Sequence, residues 1–376
     1  RLNYGSFHLP YAAFFVAHTG LDEDFSKKLH DFEKNRKIFS SLAFSLRAPY
    51  NEKNLGKGEG FRMNYIGIDL GGTNIKGALV SEQGEILREH AVETRVDLGP
   101  EAIAARIGQV IAQLCEGTDE SAIGGVGVGC PGTVDDASGI VRFAGNLGFV
   151  NFDLSGALRA HTALPIHLGN DANAAALGEA LFGCGKGAES TVVVTLGTGV
   201  GGGVVLGGKL LTGYTGAASE LGHMVIAEGG EKCTCGRRGC FEAYSSATAL
   251  IRDTKRAMAA HPESLLHAIA AENGGVDGRM AFLAKARGDE AGAKVVEDYI
   301  EHLACGLTNL VNIFFPEVLA LSGGVANQGE ALLAPLRERV RERSFGSRYA
   351  VSHTRIERCT LGYRAGVIGA AMLVRK

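Results

Sequence analysis

No surplus of basic charge marks this chain. Its 376 residues carry 38 Lys and Arg against 41 Asp and Glu, a formal net charge of −3. Such a balance offers nothing general to nucleic acid or to an anionic membrane surface. Apolar runs long enough to span a bilayer, about 20 residues each, are also missing. Eight cysteines are too few and too scattered for a secreted disulfide scaffold. Cys115, Cys130, Cys184, Cys305 and Cys359 read as buried free thiols, and a reducing cytoplasm is the expected compartment. Low-complexity tracts are lacking too, although glycine is abundant. The chain has 54 glycines, roughly twice the usual share of about 7 %, and they sit in turns between apolar runs. Length and a 45 % hydrophobic content allow sizeable cores and about two domains.

Two of the glycine turns repeat one design. The first is Ile68-Asp69-Leu70-Gly71-Gly72-Thr73, followed by the apolar run Ile75–Val80 with Lys76 in it. The second is Val194-Thr195-Leu196-Gly197-Thr198-Gly199, followed by Val200–Leu206. Short Val-, Ile- and Leu-rich runs on both sides predict strand–turn–strand. A dinucleotide fold or a Walker loop would pass from strand to helix instead. Glycine lets the backbone approach a phosphate, and successive N–H groups form an anion-binding nest. One such turn is as well read as a plain hairpin. Two of them, with Asp69 beside the first and hydroxyls at Thr73, Thr195 and Thr198, are the pattern that holds a nucleotide triphosphate between two halves.

Residues 1–62 show no sustained periodicity and are expected to be a leader, poorly ordered or an artefact of gene-start assignment ahead of Met63. From there strand and helix alternate. Strands are predicted at 64–70, 75–81, 85–94, 125–129 and 165–168, with a helix from Pro100 that carries Ile103, Ile107, Val110, Ile111 and Leu114 on one face. An alanine-rich helix is predicted over 171–182. The second half is expected to place strands at 190–196, 202–206, 317–321 and 351–356, and helices near 291–313, 328–343 and 363–374. The pattern is a duplicated α/β architecture with a cleft.

Two further clusters carry chemistry. In Gly169-Asn170-Asp171-Ala172-Asn173 an Asn-Asp pair stands where a strand ends and a helix begins. Asp171 there is a helix N-cap, or a general base aimed into the cleft, or both. Phosphoryl transfer needs one group to orient and deprotonate the attacking hydroxyl. The second cluster is Glu220-Leu221-Gly222-His223, then Cys233-Thr234-Cys235-Gly236-Arg237-Arg238-Gly239-Cys240-Phe241-Glu242. Three cysteines and a histidine suit a closed structural zinc site, although Cys-x-Cys departs from the common Cys-x-x-Cys. Free thiols or a local disulfide are the alternatives. Glu220 and Glu242, held by such a loop, would accept hydrogen bonds from the hydroxyls of a polyol.

These motifs together resemble the ROK family of bacterial sugar kinases, over the whole segment from Met63 to Lys376, and the glucokinases among them most. The resemblance implies a duplicated actin-like ATPase (ribonuclease H-like) two-domain α/β fold with a central cleft. The small domain would comprise residues 63–182 and 361–376, the large one residues 183–360 with the zinc loop. It implies ATP as donor with Mg²⁺, a structural Zn²⁺ on His223, Cys233, Cys235 and Cys240, a hexose as partner, and a homodimer or higher homo-oligomer. Asp171 would deprotonate the sugar 6-hydroxyl. Asn146, Asn170, Glu220, His223 and Glu242 would hold the sugar. Asp69 would lie near Mg²⁺, and Gly71, Gly72, Thr73 and Lys76 near the phosphates. Gly197, Thr198 and Gly199 would form the second phosphate loop, and Gly323 and Gly324 would lie against the adenosine. Glucose is the expected acceptor; N-acetylglucosamine, N-acetylmannosamine and fructose kinases share these motifs. Sugar-responsive repressors share the same core and add a DNA-binding module; residues 1–62 show no clear helix-turn-helix pattern.

Overall fold

A computed structural model describes residues 63–375; the expected leader lies outside the described residues. The first half opens with β1 (Asn64–Leu70), β2 (Asn74–Ser81) and β3 (Ile86–Glu93), joined antiparallel by tight turns. Helix α1 (Pro100–Cys115) follows, with proline in its first turn and Ile103, Ile107, Val110, Ile111 and Leu114 buried as the periodicity predicts. Next comes β4 (Ile123–Cys130), parallel to β1. A small antiparallel sheet of β5 (Thr133–Asp135), β6 (Ile140–Ala144) and β7 (Phe149–Asp153) comes next. Then β8 (Ile166–Asn170) runs parallel to β4 and leads directly into α2 (Asp171–Phe182).

The second half repeats the plan. Strands β9 (Ser190–Leu196) and β10 (Val200–Leu206) form a hairpin extended by the short β11 (Lys209–Leu210). A helical region follows, with α3 (Ala247–Ala260) and the long α4 (Glu290–Phe314). Asp289 caps α4 by accepting from the Gly292 N–H at 2.6 Å, and Phe315 ends it in the left-handed region, ahead of Pro316. Its buried face, Val295, Tyr299, Ile300, Leu303, Leu307, Leu310 and Val311, is the one read from the sequence. Strand β12 (Val318–Ser322), helix α5 (Glu330–Arg343), strand β13 (Arg355–Arg358) and helix α6 (Ala365–Met372) complete the fold.

The two large sheets have matching strand orders, β3-β2-β1-β4-β8 and β11-β10-β9-β12-β13. In each, the hairpin edge is antiparallel and the remainder parallel. The last predicted strand begins later than expected, at Arg355 rather than 351, because exposed Val351 faces no strand partner. Helix α6 returns to the first half, where it packs on β1 and β4 and against α2. That packing needs glycine: a Cβ at Gly369 would run into the Ala174 carbonyl oxygen of α2. Core residues of α6, Val367, Ile368 and Ala371, join Ala78 and Val80 of β2, Leu177 of α2 and Val205 of β10 in one cluster. Among the described residues no helix is long and apolar enough to cross a membrane.

Candidate active site

Both glycine turns close strand ends. In the first, the Gly71 N–H donates to the Asn74 carbonyl at 3.0 Å, and the Gly71 carbonyl accepts from Thr94 Oγ1 at 2.6 Å. The second closes through the Gly197 N–H and the Gly199 carbonyl at 3.0 Å. Thr248, in the first turn of α3, donates to the Thr198 carbonyl at 2.7 Å, and the Ala247 N–H donates to the Gly197 carbonyl at 2.8 Å. Thr73 and Thr198 remain exposed, their hydroxyls unused by the described residues. Gly323 is left-handed at φ 88° and lies under Leu196, so its turn abuts the end of β9; the next residue, Gly324, faces open space.

Asp69, Lys76 and Asp171 meet at the end of the first sheet. Asp69 pairs with Lys76 across the β1–β2 hairpin. Burial pushes the Asp69 carboxyl up; the Lys76 ammonium opposes this and the Asp171 charge adds to it. Burial likewise raises Asp171, against the Ala172 N–H, which donates to its Oδ1 at 2.8 Å. Of the adjacent Asn-Asp pair, Asn170 does the capping. Its Oδ1 accepts from the Asn173 N–H at 3.1 Å and its Nδ2 donates to the Gly132 carbonyl at 3.1 Å. Asp171 is therefore not needed as the cap and occupies the first position of α2. Helix α2 also touches the second hairpin, since a Cβ at Gly201 would meet Ala172 Cβ at 3.3 Å. Asn146 stands at the first turn, its Nδ2 3.5 Å from where a Gly72 Cβ would lie.

The cysteine loop folds back on the second turn. Ligand atoms of His223, Cys233, Cys235 and Cys240 all lie within 4.8 Å of one another. His223 Nδ1 is 3.6 Å from Cys233 Sγ, and Cys235 Sγ is 3.7 Å from Cys240 Sγ. A regular tetrahedron with zinc–sulfur arms of about 2.3 Å has edges of roughly 3.8 Å. The four side chains thus fit a tetrahedral ion. Every described cysteine is a free thiol. Burial and the neighbouring thiols push Cys240 up to about 12, a cost that a bound divalent ion removes by holding thiolates.

Glu242 joins this loop to the second turn. Its Oε2 accepts from the Val200 N–H at 3.1 Å, and its Oε1 accepts from Thr234 Oγ1 at 2.8 Å and from Cys233 Sγ at 3.4 Å. Glu220 opens the short turn that holds His223, and its carboxylate is exposed without a partner among the described residues. The residue before it, Ser219, is held at φ 67°, an uncommon conformation for a serine. The structure thus gathers Asp69, Lys76, Asp171 and Asn146 about the first turn, and Glu242 and the four metal-ligand candidates about the second. Glu220 joins the second group through its turn. The sequence reading passed over Ser219 and Thr248: a threonine in a helical first turn is too common to single out, and the positive φ of Ser219, in a loop, leaves no mark in the sequence.

The chain belongs to the ROK family, whose profile matches residues 65–376. Glucokinase of Thermotoga maritima is 38% identical over 319 residues, covering 84% of this chain and 98% of that protein. The crystal structure of a ROK family glucokinase from Streptomyces griseus, in complex with glucose and AMPPNP, is 36% identical. It superposes with a TM-score of 0.68 over 83% of this chain and 99% of that one. The xylose repressor of Caldicellulosiruptor bescii is 31% identical over 340 residues, 86% of this chain and 84% of that protein. The fold is accordingly the actin-like ATPase fold expected from the sequence.

Proposed function

We propose that this protein is an ATP-dependent kinase that transfers the γ-phosphoryl group to the 6-hydroxyl of glucose. The observation that carries the reading is the position of Asp171. It opens α2 free of capping duty, beside Asp69 of the first turn, on a helix that also touches the strand following the second turn. A base placed there meets a nucleotide held by both turns and a sugar lying between them.

Asp171 accepts the proton of the sugar hydroxyl as the hydroxyl oxygen attacks phosphorus. Its burial raises its basicity relative to an exposed carboxylate. Gly71, Gly72 and Thr73, with Lys76, hold phosphate oxygens from one side, and Gly197, Thr198 and Gly199 hold them from the other. Gly323 and Gly324 bound the adenosine. Asp69 would hold Mg²⁺, which neutralises charge on the phosphates when bound.

Asn146, Asn170, Glu220, His223 and Glu242 bind the sugar hydroxyls. Asn170 keeps one amide hydrogen and one lone pair beyond its two protein bonds. His223, Cys233, Cys235 and Cys240 would hold a zinc ion, which would fix the loop. A Cys233 thiolate held there would no longer donate to Glu242, leaving Oε1 one lone pair beyond its bond from Thr234 to accept from a hydroxyl. The fold divides at the cleft into residues 63–182 with 361–376, and 183–360. A cytoplasmic homo-oligomer is the form we expect.

The xylose repressors share the core, but the intact Asp69, Thr73 and Asp171 favour the kinase. A coupled assay with ATP and a panel of hexoses tests the proposal. Glucose turnover dependent on Mg²⁺ supports it. A preference for N-acetylated sugars with little glucose turnover overturns the choice of sugar.

A further inference from the structure

Glu179 lies in the last turn of α2, 1% exposed, where the chain passes between the two halves. There are two such crossings, one through Gly183 and Cys184 into β9, the other from β13 through Cys359, Thr360 and Leu361 into α6. Both end on this one residue. Its backbone carbonyl accepts from the Gly183 N–H at 3.1 Å and the Gly185 N–H at 3.0 Å. Its Oε2 accepts from the Cys184 N–H at 3.2 Å and from the Thr360 N–H at 3.0 Å, with Thr360 Oγ1 at 3.5 Å. Its Oε1 accepts from the Leu361 N–H at 2.7 Å. A single carboxylate therefore closes hydrogen bonds to segments 181 and 182 residues away as well as to its own.

A carboxyl group is seldom this buried unless it is paired or fully hydrogen-bonded. Among the described residues no cation contributes here; the donors are backbone N–H groups and one hydroxyl. Cys184 and Cys359 lie close by, with their sulfurs and a Glu179 oxygen within 4.8 Å of one another. The Cys359 thiol is also pushed far up by its hydrogen bond to Cys184, by burial and by the Glu179 charge.

We propose that Glu179 is a positioning residue that makes the two crossings move as one hinge. The proposal rests on the kinase reading for its consequence. Helix α2 carries Asp171 at its first position and Glu179 eight residues on, about 12 Å along the axis at 1.5 Å per residue. A rotation at the crossings is thus delivered by a rigid rod to the base. The second half is anchored to the same point, since the Cys359 N–H donates to the Leu321 carbonyl of β12 at 2.9 Å. Closure of the halves and placement of Asp171 become a single event. With Glu179→Gln the side chain keeps its volume but offers only one acceptor oxygen, and its amide hydrogens face N–H donors. In either orientation of the amide the clasp is weakened: with the oxygen in the Oε2 place the Leu361 N–H loses its acceptor, and with it in the Oε1 place the Cys184 and Thr360 N–H groups lose theirs.

The full chain and E179Q are titrated calorimetrically with glucose, with AMPPNP, and with each in the presence of the other. Coupling between sites typically amounts to about 5–150-fold in affinity. The wild type is expected to show such coupling and E179Q clearly less, with little change in the affinity for either ligand alone and with kcat reduced more than KM. E179Q that loses melting temperature but keeps its coupling overturns the proposal. A second measurement depends neither on the variant folding nor on the sugar. In the wild-type chain the amides of Cys184, Thr360 and Leu361 are expected to exchange hydrogen with one common opening free energy. Opening of residue 184 separately from 360–361 overturns the hinge. A wild-type chain that binds no glucose overturns the choice of sugar instead, and the exchange pattern then decides the hinge alone.

Discussion

Glu242 accepts a hydrogen bond from the Val200 backbone N–H at 3.1 Å, across 42 residues of sequence. That bond ties the cysteine loop to the second glycine turn. The same carboxylate covers Gly199, where an added Cβ would collide with Oε2. Because the obstacle is the end of a flexible side chain, the fold accommodates it and the carboxylate moves. Gly199→Ala is therefore expected to lower the melting temperature only modestly, through the lost Val200 bond, while raising the KM for glucose. The rise should be roughly tenfold or more, the equivalent of a hydrogen bond to a charged group at about 1.5–3 kcal/mol. An unchanged KM would show that Glu242 does not hold the sugar.

Asp171→Asn removes the proposed base while keeping the shape of the helix start, since Asn170 provides the cap. General-base catalysis contributes about 10²–10⁴-fold. Steady-state kinetics should show kcat falling by that order, with glucose affinity changed much less. Parallel losses in binding and turnover would make Asp171 a sugar ligand instead.

Burial raises both Asp69 and Asp171, and this has consequences for rate and for stability. A base must be unprotonated, so turnover should be lost as pH falls through the raised folded value. The acid limb of the kcat profile is then expected above the ordinary aspartate range, near 3.9, and it should disappear from the residual activity of Asp171→Asn. The stability effect has the opposite sense. A carboxyl whose folded pKa is raised stabilises the fold while protonated, below its unfolded value, and loses that contribution as pH rises through its folded value. Asp171→Asn should therefore melt higher than the wild type at neutral pH. The gap should close once the solution is more acidic than about 3.9, where the group is protonated in both states. Melting curves at several pH values check this, and a variant that melts lower at neutral pH contradicts it.

One zinc per chain is expected on His223, Cys233, Cys235 and Cys240, measured by elemental analysis of protein purified without chelator. Cys240→Ser should abolish the metal, because Cys240 is the buried member of the set. Glucose affinity should fall with it, since the Glu242 carboxylate hangs on the loop through Thr234 at 2.8 Å. Metal-free native protein, or a disulfide mapped within the cluster, would rule the zinc site out.

Elements with strong local patterns were legible in the sequence. Strands β1 and β9 and helices α1 and α2 fall where apolar runs, alanines and bounding glycines or prolines placed them. Helix α4 does so within a residue, because its buried face recurs at helical spacing for six turns. Helix α3 was not legible. It buries only Ala249, Leu250 and Thr254, so its apolar stripe is too thin to stand out. The sheet of β5, β6 and β7 was missed for a related reason: its strands are three to five residues long and leave Phe143 and Val150 exposed.

The sequence by itself determined the kinds of chemistry available. Glycine turns that admit phosphate, an acid at a strand–helix junction, and a histidine with three cysteines are local patterns, set by neighbours along the chain. Which carboxylate does what was decided only by the tertiary structure. Asn170 takes the cap and leaves Asp171 free of it, Glu242 reaches a backbone N–H of another strand, and Glu179 collects both crossings. Glu179 shows the limit most plainly. In the sequence it is one acid in an alanine-rich helix. Its donors at Thr360 and Leu361 arrive from far along the chain, and only burial, which removes water as an alternative partner, makes those bonds necessary.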